Sequence, residues 1–374
     1  MHNNTLHIVS LDNPFPPVYG GIIDIFYKIQ ALHRNGCEIY LHCFVDTVPE
    51  SNPELEAIVA KVFYYPKTKS IFGILSMTPF SVKTRTSSEL SRNLHRIVAP
   101  VLFESLKPTA VLSEMTNFPE KKILRMQNIE HDYFNGIAHS ETNFFKKALY
   151  FAESLKYKNY EPRIKAFDDI LSLSVHETDY IRKKFGNATY IPLFHGNDIV
   201  APLSPFGNHA VYNGDLNTAD NRRALDFIIS VFKEINDYPL VIAVRDRHHF
   251  VRKLIGKAEN ITLAKPDNYN HLKQFLADAH INIMFSYQST GTKLKLVNAL
   301  HNSRHCLINE NMVDDPEIIK LCTLATDKKG FIAAIQNLRH IAYDDFENRK
   351  RVVGEIYDDQ KNARKLMDVV NSKK

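Results

Sequence analysis

The stretch "LHIVSLDNPFPPVYGGIIDIF", residues 6–26, decides how the chain begins to fold. Apolar residues over 6–11 predict a strand, and the spacing of apolar residues over 22–34 predicts a helix. Three prolines and the pair Gly20-Gly21 separate the two, as in a turn between a strand and a helix. Such glycine-rich turns often hold phosphates. This one lacks both the G-x-G-x-x-G dinucleotide fingerprint and the Gly-Lys-Ser/Thr ending of a phosphate-binding loop, so its ligand must be inferred from the rest of the chain.

Length and composition indicate a globular protein of two domains. The chain has 374 residues, of which 44% are hydrophobic and 24% charged. No stretch approaches the roughly 18 apolar residues of a membrane span, and the start, "MHNNTLHIVSLDNP", lacks the pattern of a signal peptide. Four cysteines without a C-x-x-C pair do not form a disulfide framework, and Cys37 and Cys43 are expected to be buried free thiols. We therefore expect a cytoplasmic protein.

The charge of the chain points to anionic partners. A net charge of +5 suits an anionic ligand or an anionic membrane surface, and without a basic cluster it predicts no binding of nucleic acid. The stretch 143–160 interleaves phenylalanines and tyrosines with four lysines. Such a basic-aromatic helix is either packed against the sheet or lies on an anionic membrane as a peripheral contact at its inner face. The sequence leaves both alternatives open.

Strands and helices alternate along the whole chain, which predicts parallel sheets covered by helices on both faces. In the first half, the predicted strands cover 6–11, 38–44, 61–65, 110–115, 122–127, 169–175 and 189–194. The clearest helical periodicity there covers 22–34, 87–106 and 141–160. In the second half, the predicted strands cover 209–214, 240–244, 260–264, 281–285 and 305–309. Its predicted helices cover 219–235, 248–257, 270–278, a stretch from about 291, and the charged end 345–372.

A loop-like stretch at 194–208 separates the two series. The sequence thus predicts an α/β protein with two Rossmann-like, doubly wound domains. The first covers 1–195 and is joined by the C-terminal helix 355–374, and the second covers 196–354. Ligands of open α/β sheets bind at the carboxyl ends of the strands, so we expect both domains to face an interdomain cleft that contains the Gly20-Gly21 turn.

Five stretches, in matching order over most of the chain, resemble the large retaining glycosyltransferase family 4, whose fold is GT-B. They are "PFPPVYGG" after the first strand, "RMQNIEHDYF" at 125–134, "DDILSLSVHETDYI" at 168–181, "YNGDLNTADNRRALDFI" at 212–228 and "STGTKLKLVNAL" at 289–300. The first and last are the most specific. The resemblance implies a hexosyltransferase that takes its sugar from a nucleoside diphosphate donor and needs no other cofactor.

Two glycine turns suit a nucleoside diphosphate sugar. Gly20 and Gly21 have no Cβ atoms, so the backbone there can approach a diphosphate or a sugar closely. In the last stretch, Thr290, Gly291 and Thr292 lie at a predicted helix start, where free amides favour an anion. Lys293 and Lys295 follow. Because they are two residues apart they cannot face the same way, so one is expected to reach the diphosphate and the other solvent.

Arginines supply a second set of positive charges. Arg222 and Arg223 lie near the start of the first helix of the second domain. The resemblance implies that they clamp the diphosphate as the bond to the sugar breaks. The arginine of the family usually comes earlier, where this chain has Asp215 and Leu216, so a solvated arginine pair remains an alternative.

The chain departs from the family at the positions of its paired glutamates, which fall on Thr290 and Asn298. The resemblance implies that Asn298 binds the ribose, although an amide offers only one acceptor oxygen there. In "RMQNIEH", Gln127 stands where relatives often have histidine, with Glu130 and His131 nearby. These three residues are the predicted catalytic set. Gln127 cannot transfer protons, but it can hydrogen-bond a sugar hydroxyl.

The sequence contains no metal-ligand spacing, no D-x-D motif and no nucleophile elbow of the α/β-hydrolases. We therefore expect a metal-independent glycosyltransferase that moves a hexose to a glycan or lipid-linked glycan with retention. Two alternatives remain open. One is a non-catalytic GT-B-shaped binding or scaffold protein in polysaccharide assembly, and the other is a sugar-nucleotide epimerase of the same fold.

Overall fold

The computed structural model describes residues 4–68, 76–113, 115, 118, 120–290 and 293–372. The chain divides into two compact units. Unit 1 comprises Met1–Ala138, Phe144–Gly196 and Asp359–Lys374, and unit 2 comprises His139–Asn143 and Asn197–Asp358. Each unit is an α/β structure built on a parallel sheet.

Unit 1 contains a seven-stranded sheet in the order β3-β2-β1-β4-β5-β6-β7. Its strands are β1 (Thr5–Ser10), β2 (Glu38–Val45), β3 (Lys61–Pro66), β4 (Val101–Glu104), β5 (Lys122–Met126), β6 (Asp169–Ser172) and β7 (Thr189–Tyr190). Every pair in this sheet is parallel. The order reverses between β1 and β4, so these two strands form the switch point of unit 1.

Helices and short 3₁₀ turns connect these strands. The helices are α1 (Gly20–Arg34), α2 (Pro53–Glu56), α3 (Phe80–Lys83), α4 (Ser88–Arg96), α5 (Glu130–Ser140), α6 (Phe144–Tyr160) and α7 (Val175–Phe185). Helix α1 packs through Ile22, Ile25 and Ile29, which are almost fully buried, because its apolar residues recur on one face.

Two predictions for unit 1 are wrong. The pattern predicts one helix over 87–106, but α4 ends at Arg96 and the central strand β4 follows. Pro100 cannot continue a helix, and a strand buried on both faces is a continuous apolar run without alternation, so its period is not visible in the sequence. The strand predicted over 110–115 is also wrong, because Thr109–Ser113 forms a 3₁₀ turn.

Unit 2 contains a six-stranded parallel sheet in the order β10-β9-β8-β11-β12-β13. Its strands are β8 (Ala210–Asn213), β9 (Leu240–Ala243), β10 (Ile261–Ala264), β11 (Ile281–Met284), β12 (His305–Ile308) and β13 (Thr323–Leu324). Its helices are α8 (Ala219–Phe232), α9 (His248–Ile255), α10 (Tyr269–Asp278), α11 (Leu294–Asn302), α12 (Pro316–Ile319), α13 (Lys328–Leu338) and α14 (Phe346–Ile356). The order reverses between β8 and β11, which form the switch point of unit 2.

The last helix, α15 (Asp359–Asn371), belongs to unit 1. Its buried residues Ala363, Leu366 and Val370 join the apolar cluster that contains Ile8 and Ile29. A spacing of three and four residues puts these side chains on one helical face, which explains why a charged segment still packs. Among the described residues no helix is both long enough and apolar enough to cross a membrane.

Candidate functional site

The turn after β1 brings two predicted site residues together. Helix α1 begins at Gly20, and a helix start leaves its first amides without partners in the helix. A Cβ atom built on Gly21 would lie 2.8 Å from the Oε1 atom of Gln127, whereas one built on Gly20 would meet nothing within 4 Å. The Nε2 atom of Gln127 lies 3.4 Å from the carbonyl oxygen of Gly21. The absence of a side chain thus matters at Gly21 and not at Gly20.

The three predicted catalytic residues have different neighbours. Gln127 faces Gly21, as described above. The carboxylate of Glu130 is buried and lies 3.4 Å from the ammonium group of Lys107. Neither carboxylate oxygen of Glu130 has a hydrogen-bond partner among the described residues. The ring of His131 lies 3.5 Å from a carboxylate oxygen of Glu161. The structure therefore pairs Gln127 with the glycine turn, while the side-chain contacts of Glu130 and His131 are with other groups.

A cluster of four buried charges lies under the glycine turn, and the sequence reasoning did not identify it. The ammonium of Lys28 lies 3.0 Å from Asp24 and 2.7 Å from Glu104, and Arg125 lies 3.1 Å from Asp24. Burial would raise the pKa of Asp24, but the charges of Arg125 and Lys28 outweigh it and lower that pKa. Burial raises the pKa of Glu104 even though Lys28 opposes the shift. The spacing of Asp24 and Lys28, four apart on an otherwise apolar helix face, is the sequence signal for this cluster.

This cluster also holds the segment that follows β7. Arg125 donates hydrogen bonds to the carbonyl oxygens of Ile191 and Pro192, at 2.7 and 3.0 Å. Asp24 accepts a hydrogen bond from the amide of Phe194 at 2.8 Å. The helix that carries Gly20 and Gly21 is therefore fixed both to the sheet and to residues 191–194.

In unit 2, Asp220 fixes the switch point. It lies in the first turn of α8 and accepts hydrogen bonds from the hydroxyl of Ser286 at 2.8 Å and from the amide of Tyr287 at 2.9 Å. Ser286 and Tyr287 follow β11, so this carboxylate joins the start of α8 to the end of the central strand. Asp220 was not among the predicted site residues, because a lone aspartate near a helix start usually serves only as a cap.

The two predicted arginines have different roles. Arg222 donates hydrogen bonds to the carbonyl oxygens of Leu216 and Asn217, at 3.0 and 2.8 Å, so its side chain supports the turn before α8. The guanidinium of Arg223 is stacked on the ring of Tyr287, 3.6 Å from its centre. Arg223 is exposed to solvent.

Lys295 lies at the carboxyl end of the unit 2 sheet. It is half-buried, and its ammonium donates hydrogen bonds to Asn221 Oδ1 and to the carbonyl oxygen of Phe285, both at 3.2 Å. Burial, helped by the nearby charge of Lys293, lowers the pKa of Lys295 to about 8, while Asp220 opposes this shift. A positive charge is thus held at the switch point by polar atoms from two elements.

Of the other predicted residues of the stretch 290–295, the structure describes Thr290 and Lys293. The ammonium of Lys293 donates a hydrogen bond to the carbonyl oxygen of Thr290 at 2.5 Å, and α11 begins at the next residue. The hydroxyl oxygen of Thr290 is buried and has no hydrogen-bond partner within the described part of the chain. Gly291 and Thr292, both predicted to bind the diphosphate, lie outside the described residues.

Asn298, the predicted ribose-binding residue, belongs to a buried polar network. Its Oδ1 atom accepts hydrogen bonds from Asn197 at 3.0 Å and from the hydroxyl of Tyr269 at 2.7 Å. Asn302 donates to Asn197 at 3.2 Å and to the backbone oxygen of Asn298 at 2.9 Å. A carbonyl oxygen has two lone pairs, so the Asn298 acceptor is already saturated. Sequence reasoning missed this role because its partners come from distant parts of the chain.

The described residues contain no group of three or more His, Cys, Asp and Glu side chains placed to hold a metal ion. Helix α6, the basic-aromatic stretch of the sequence, exposes large apolar side chains. Phe144 and Phe145 are 77% and 78% exposed, and Leu155 is 64% exposed. Tyr157 is its one fully buried residue among those described.

No protein-family model matches the sequence. An uncharacterised 44.6 kDa protein in the cps region of Klebsiella pneumoniae is 27% identical over 318 residues, which cover 79% of this chain and 80% of that protein. Solved structures match over a greater length. HepE of Anabaena, solved with UDP and glucose, has a TM-score of 0.66 at 9% identity and covers 98% of this chain and 99% of its own.

Two further solved structures also match this chain over nearly its whole length. WaaG, a glycosyltransferase involved in lipopolysaccharide biosynthesis, has a TM-score of 0.65 at 11% identity and covers 98% of this chain and 100% of its own. The pneumococcal O-GlcNAc transferase GtfA, solved with UDP and GlcNAc, has a TM-score of 0.63 at 9% identity over 99% of both chains. The chain has the GT-B fold. The predicted fold class of two Rossmann-like α/β units is thereby confirmed.

Of the predicted site residues of unit 2, Arg223 and Lys295 lie at its switch point together with Asp220, whereas Asn298 belongs to the buried polar network. Ligands of open α/β sheets bind outside the carboxyl ends of the strands at such a point. Lys295, Asp220 and Arg223 all lie around the end of β11, where they contact Phe285, Ser286 and Tyr287. This GT-B chain therefore presents a positively charged, hydrogen-bonding edge in its second unit.

Proposed function

We propose that the chain is a glycosyltransferase that moves a hexose from a nucleoside diphosphate sugar to a glycan or lipid-linked glycan acceptor, with retention. The observation that carries the proposal is the half-buried ammonium of Lys295 at the switch point of unit 2. The GT-B fold supports it, and structures of that fold have been solved with UDP and UDP-glucose. The relative in a cps region agrees with a role in polysaccharide synthesis.

The leaving group of this reaction is a nucleoside diphosphate, whose negative charge grows as the bond to the sugar breaks. Lys295 and the exposed guanidinium of Arg223 supply positive charge for it. The start of α11 supplies free amides and the positive end of the helix dipole beside Lys293. Retention then follows from attack on the face that the diphosphate leaves, without a covalent intermediate on the protein.

The glycine turn of unit 1 is proposed to approach the donor. Gly21 has no Cβ atom, and the end of the Gln127 side chain lies against it in the place that a Cβ atom would need. The carboxamide of Gln127 both donates and accepts, which suits a sugar hydroxyl. Glu130 and His131 remain part of the proposed catalytic set, and proton transfer is the role to test for each because a carboxylate and an imidazole are common proton carriers in catalysis.

We propose that the reaction needs no metal ion and no cofactor besides the nucleotide sugar. Lysine and arginine side chains with helix amides can supply the charge that a divalent cation supplies elsewhere. The test is turnover after dialysis against EDTA, with and without added Mg²⁺ or Mn²⁺. Equal rates support the proposal, and activity that returns only with the metal contradicts it.

We also propose that α6 rests on the anionic inner face of a membrane. It exposes Phe144, Phe145 and Leu155, and Lys146 and Lys147 lie beside them. Exposed aromatic side chains insert at the headgroup level, and lysines attract anionic lipids.

Sedimentation with vesicles of phosphatidylglycerol and phosphatidylcholine tests this contact. The Phe144→Ser/Phe145→Ser variant should lose most of its binding, while the matched Lys350→Ser/Arg351→Ser variant, on α14, should keep it. Equal binding of both variants, or binding that does not depend on the anionic lipid, would show that α6 is not the membrane contact.

A second function is favoured by one observation. The acceptor oxygen of Asn298 is saturated by Asn197 and Tyr269, so a ribose would have to replace one of these bonds. A binding or scaffold protein of the same fold would not need this ribose contact. Turnover distinguishes the two functions, since a scaffold releases no nucleoside diphosphate from any donor.

The experiment for the main proposal is a thermal-shift panel of nucleoside diphosphate sugars, followed by an assay for release of nucleoside diphosphate. We expect one donor to raise the melting temperature and to be consumed when acceptor glycan is added. The Lys293→Ala/Lys295→Ala variant should stay folded and lose that shift. Absence of any shift at millimolar donor would refute nucleotide-sugar binding.

A further inference from the structure

Two cysteines of unit 2 lie side by side at the edge of its sheet. Leu307 of β12 pairs with Thr323 of β13 in parallel register. Cys306 of β12 precedes Leu307, and Cys322, the residue directly before β13, precedes Thr323. Neighbouring strands are about 4.8 Å apart, within the Cα separation of about 4.4–6.8 Å that a disulfide allows. The side chain of Cys322 hydrogen-bonds that of Cys306, so the two thiols are close to each other.

The surroundings of this pair favour a thiolate. Arg349 is buried beside it, donates a hydrogen bond to the carbonyl oxygen of Ser303 at 2.6 Å, and has an Nε atom without a hydrogen-bond partner among the described residues. The hydroxyl of Ser303 lies 4.0 Å from the sulfur of Cys306. A hydrogen bond with the thiol of Cys322 lowers the pKa of Cys306, burial opposes this shift and Arg349 adds to it, while the same hydrogen bond and burial raise the pKa of Cys322.

The other two cysteines provide a contrast within the same chain. Cys37 and Cys43 are both buried, and burial raises the pKa of each thiol. Cys322 is partly exposed as a residue, whereas Cys306 is buried. A disulfide requires two thiols within reach of each other, and of these four cysteines only Cys306 and Cys322 lie side by side, since Cys37 and Cys43 are six residues apart along one extended stretch.

We propose that Cys306 and Cys322 form an oxidisable dithiol that a hydroperoxide converts to an intramolecular disulfide. The thiolate of the pair attacks the peroxide, the O–O bond breaks, and one oxygen stays on sulfur as a sulfenic acid. The other oxygen leaves with a proton, as water when the oxidant is hydrogen peroxide. The remaining thiol then attacks the sulfenic sulfur, the S–S bond forms, and a second water leaves. Two thiols lose two electrons and one peroxide gains them. Arg349 stabilises the thiolate that begins the sequence.

The test is peptide mapping of the folded full-length protein after treatment with hydrogen peroxide. Trypsin cleaves after Arg304, Lys320 and Lys328, so each cysteine of the pair lies on its own peptide, 305–320 and 321–328. We expect these two peptides to appear joined, with the loss of two hydrogen atoms, and to separate on reduction with dithiothreitol. Cys37 and Cys43 should remain thiols that react with iodoacetamide only after unfolding.

Cysteine variants and the pH dependence of the oxidation rate test each step of the proposed disulfide formation. Cys322→Ser should leave a sulfenic acid on Cys306 that dimedone traps, and Cys306→Ser should abolish the joined peptides. The oxidation rate of the natural chain should rise with pH to a plateau, with a midpoint below the value of about 8.5 of an ordinary thiol. Joined peptides that include Cys37 or Cys43, sulfonic acids without joined peptides, or a midpoint near 8.5 would each overturn the proposal. Donor binding is not needed for any of these measurements, so the result does not depend on the proposed transferase activity.

Discussion

The oxygen of the Gln127 side chain occupies the place next to Gly21 that a Cβ atom would need, at 2.8 Å. Gly21 lies in the first turn of α1, and Gln127 follows β5, so two elements that are far apart in sequence meet closely at the carboxyl edge of the unit 1 sheet. Only a residue without a side chain fits at position 21 while Gln127 keeps its position.

We expect Gly21→Ala to weaken donor binding without unfolding the protein. The new methyl group meets the end of a flexible glutamine, which can turn away at little cost, and alanine favours a helix more than glycine does. The displaced carboxamide of Gln127 then no longer lies where we propose that it binds the donor sugar. Isothermal titration with the donor found in the panel should show a loss of about tenfold or more, equivalent to one hydrogen bond or close contact.

Gly20→Ala is the matched control, because a Cβ atom there meets nothing within 4 Å. It should bind donor like the natural chain and melt at the same or a slightly higher temperature. If both variants lose binding equally, the close approach at Gly21 is not the cause.

Lys295 should make donor binding depend on pH. The free protein holds the lysine protonated below its pKa of about 8 and loses that proton above it. An anionic diphosphate prefers the ammonium form, so affinity should be constant below about pH 8 and fall above it, by up to about tenfold per pH unit. Titrations with a nucleoside diphosphate sugar between pH 6.5 and 9.5 measure this dependence, because its diphosphate does not titrate in that range.

Lys295→Met should reduce the affinity about 10- to 100-fold at pH 7 and remove the fall above pH 8. Lys233→Met is the control, since this lysine hydrogen-bonds the carbonyl oxygen of Leu254 at the other end of α8. Retention of the pH dependence in Lys295→Met would assign it to another group.

A chain of buried hydrogen bonds links side chains of the neighbouring strands β1, β2 and β3 in unit 1. His7 Nε2 donates to the carbonyl oxygen of Ile97 at 2.8 Å, so His7 Nδ1 accepts from His42 at 2.8 Å when both rings are neutral. His42 Nδ1 then accepts from the hydroxyl of Tyr65 at 2.8 Å, and Tyr65 accepts from Asn93 at 3.0 Å. Burial lowers the pKa of both histidines, and each lies close to the other.

Acid should therefore destabilise unit 1. The folded state keeps His7 and His42 neutral, while the unfolded chain takes up protons below about pH 6.5. The free energy of unfolding should be constant above that pH and decrease below it, by up to about 1.4 kcal/mol per pH unit for each histidine. Urea unfolding followed by circular dichroism at pH 7.5 and 5.5 tests this, and the chain has no tryptophan for fluorescence.

Tyr65→Phe should also lower the free energy of unfolding at neutral pH, by about 1–3 kcal/mol, because His42 and Asn93 lose their partner in a buried place. The neighbouring Tyr40→Phe is the control. The Tyr40 hydroxyl contacts only Glu38 at 3.5 Å among the hydrogen bonds described, and its loss should change stability by no more than about 0.5 kcal/mol. Equal effects would show that the chain of hydrogen bonds contributes nothing.

The buried charges beneath α1 should be costly to break. Asp24→Asn keeps the shape of the side chain but leaves Arg125 and Lys28 with Glu104 as their only carboxylate in the cluster. Removal of one partner from a buried ion pair costs about 3–5 kcal/mol. Urea unfolding of the variant measures this loss.

Glu355→Gln makes the same change of carboxylate to amide in an exposed pair with Arg351. Its cost should be below about 1 kcal/mol, since water and salt screen such a pair. A loss below 1 kcal/mol for Asp24→Asn as well would mean that water enters the cluster.

The sequence predicts the local turns of the candidate site but not the residues that contact them. The turn at Gly20-Gly21 and the start of α11 are visible because glycine runs and helix starts are local signals. The partners of these turns are not visible. Asp220 and Asn197 act through contacts with residues 66 and 101 positions away, and Tyr269 with a residue 29 positions away, and no periodicity encodes such pairings.

The sequence by itself determined the alternation of strands and helices and hence the two α/β units, because period and turn chemistry are properties of neighbouring residues. Only the tertiary structure decided that β4 is a central strand, since a fully buried strand carries no alternation. It also decided that Asn298 bonds to Asn197 and Tyr269, and that Asp24 neutralises Arg125. Buried polar groups must find partners wherever the folded chain brings them, and that choice is made by three-dimensional packing rather than by local sequence.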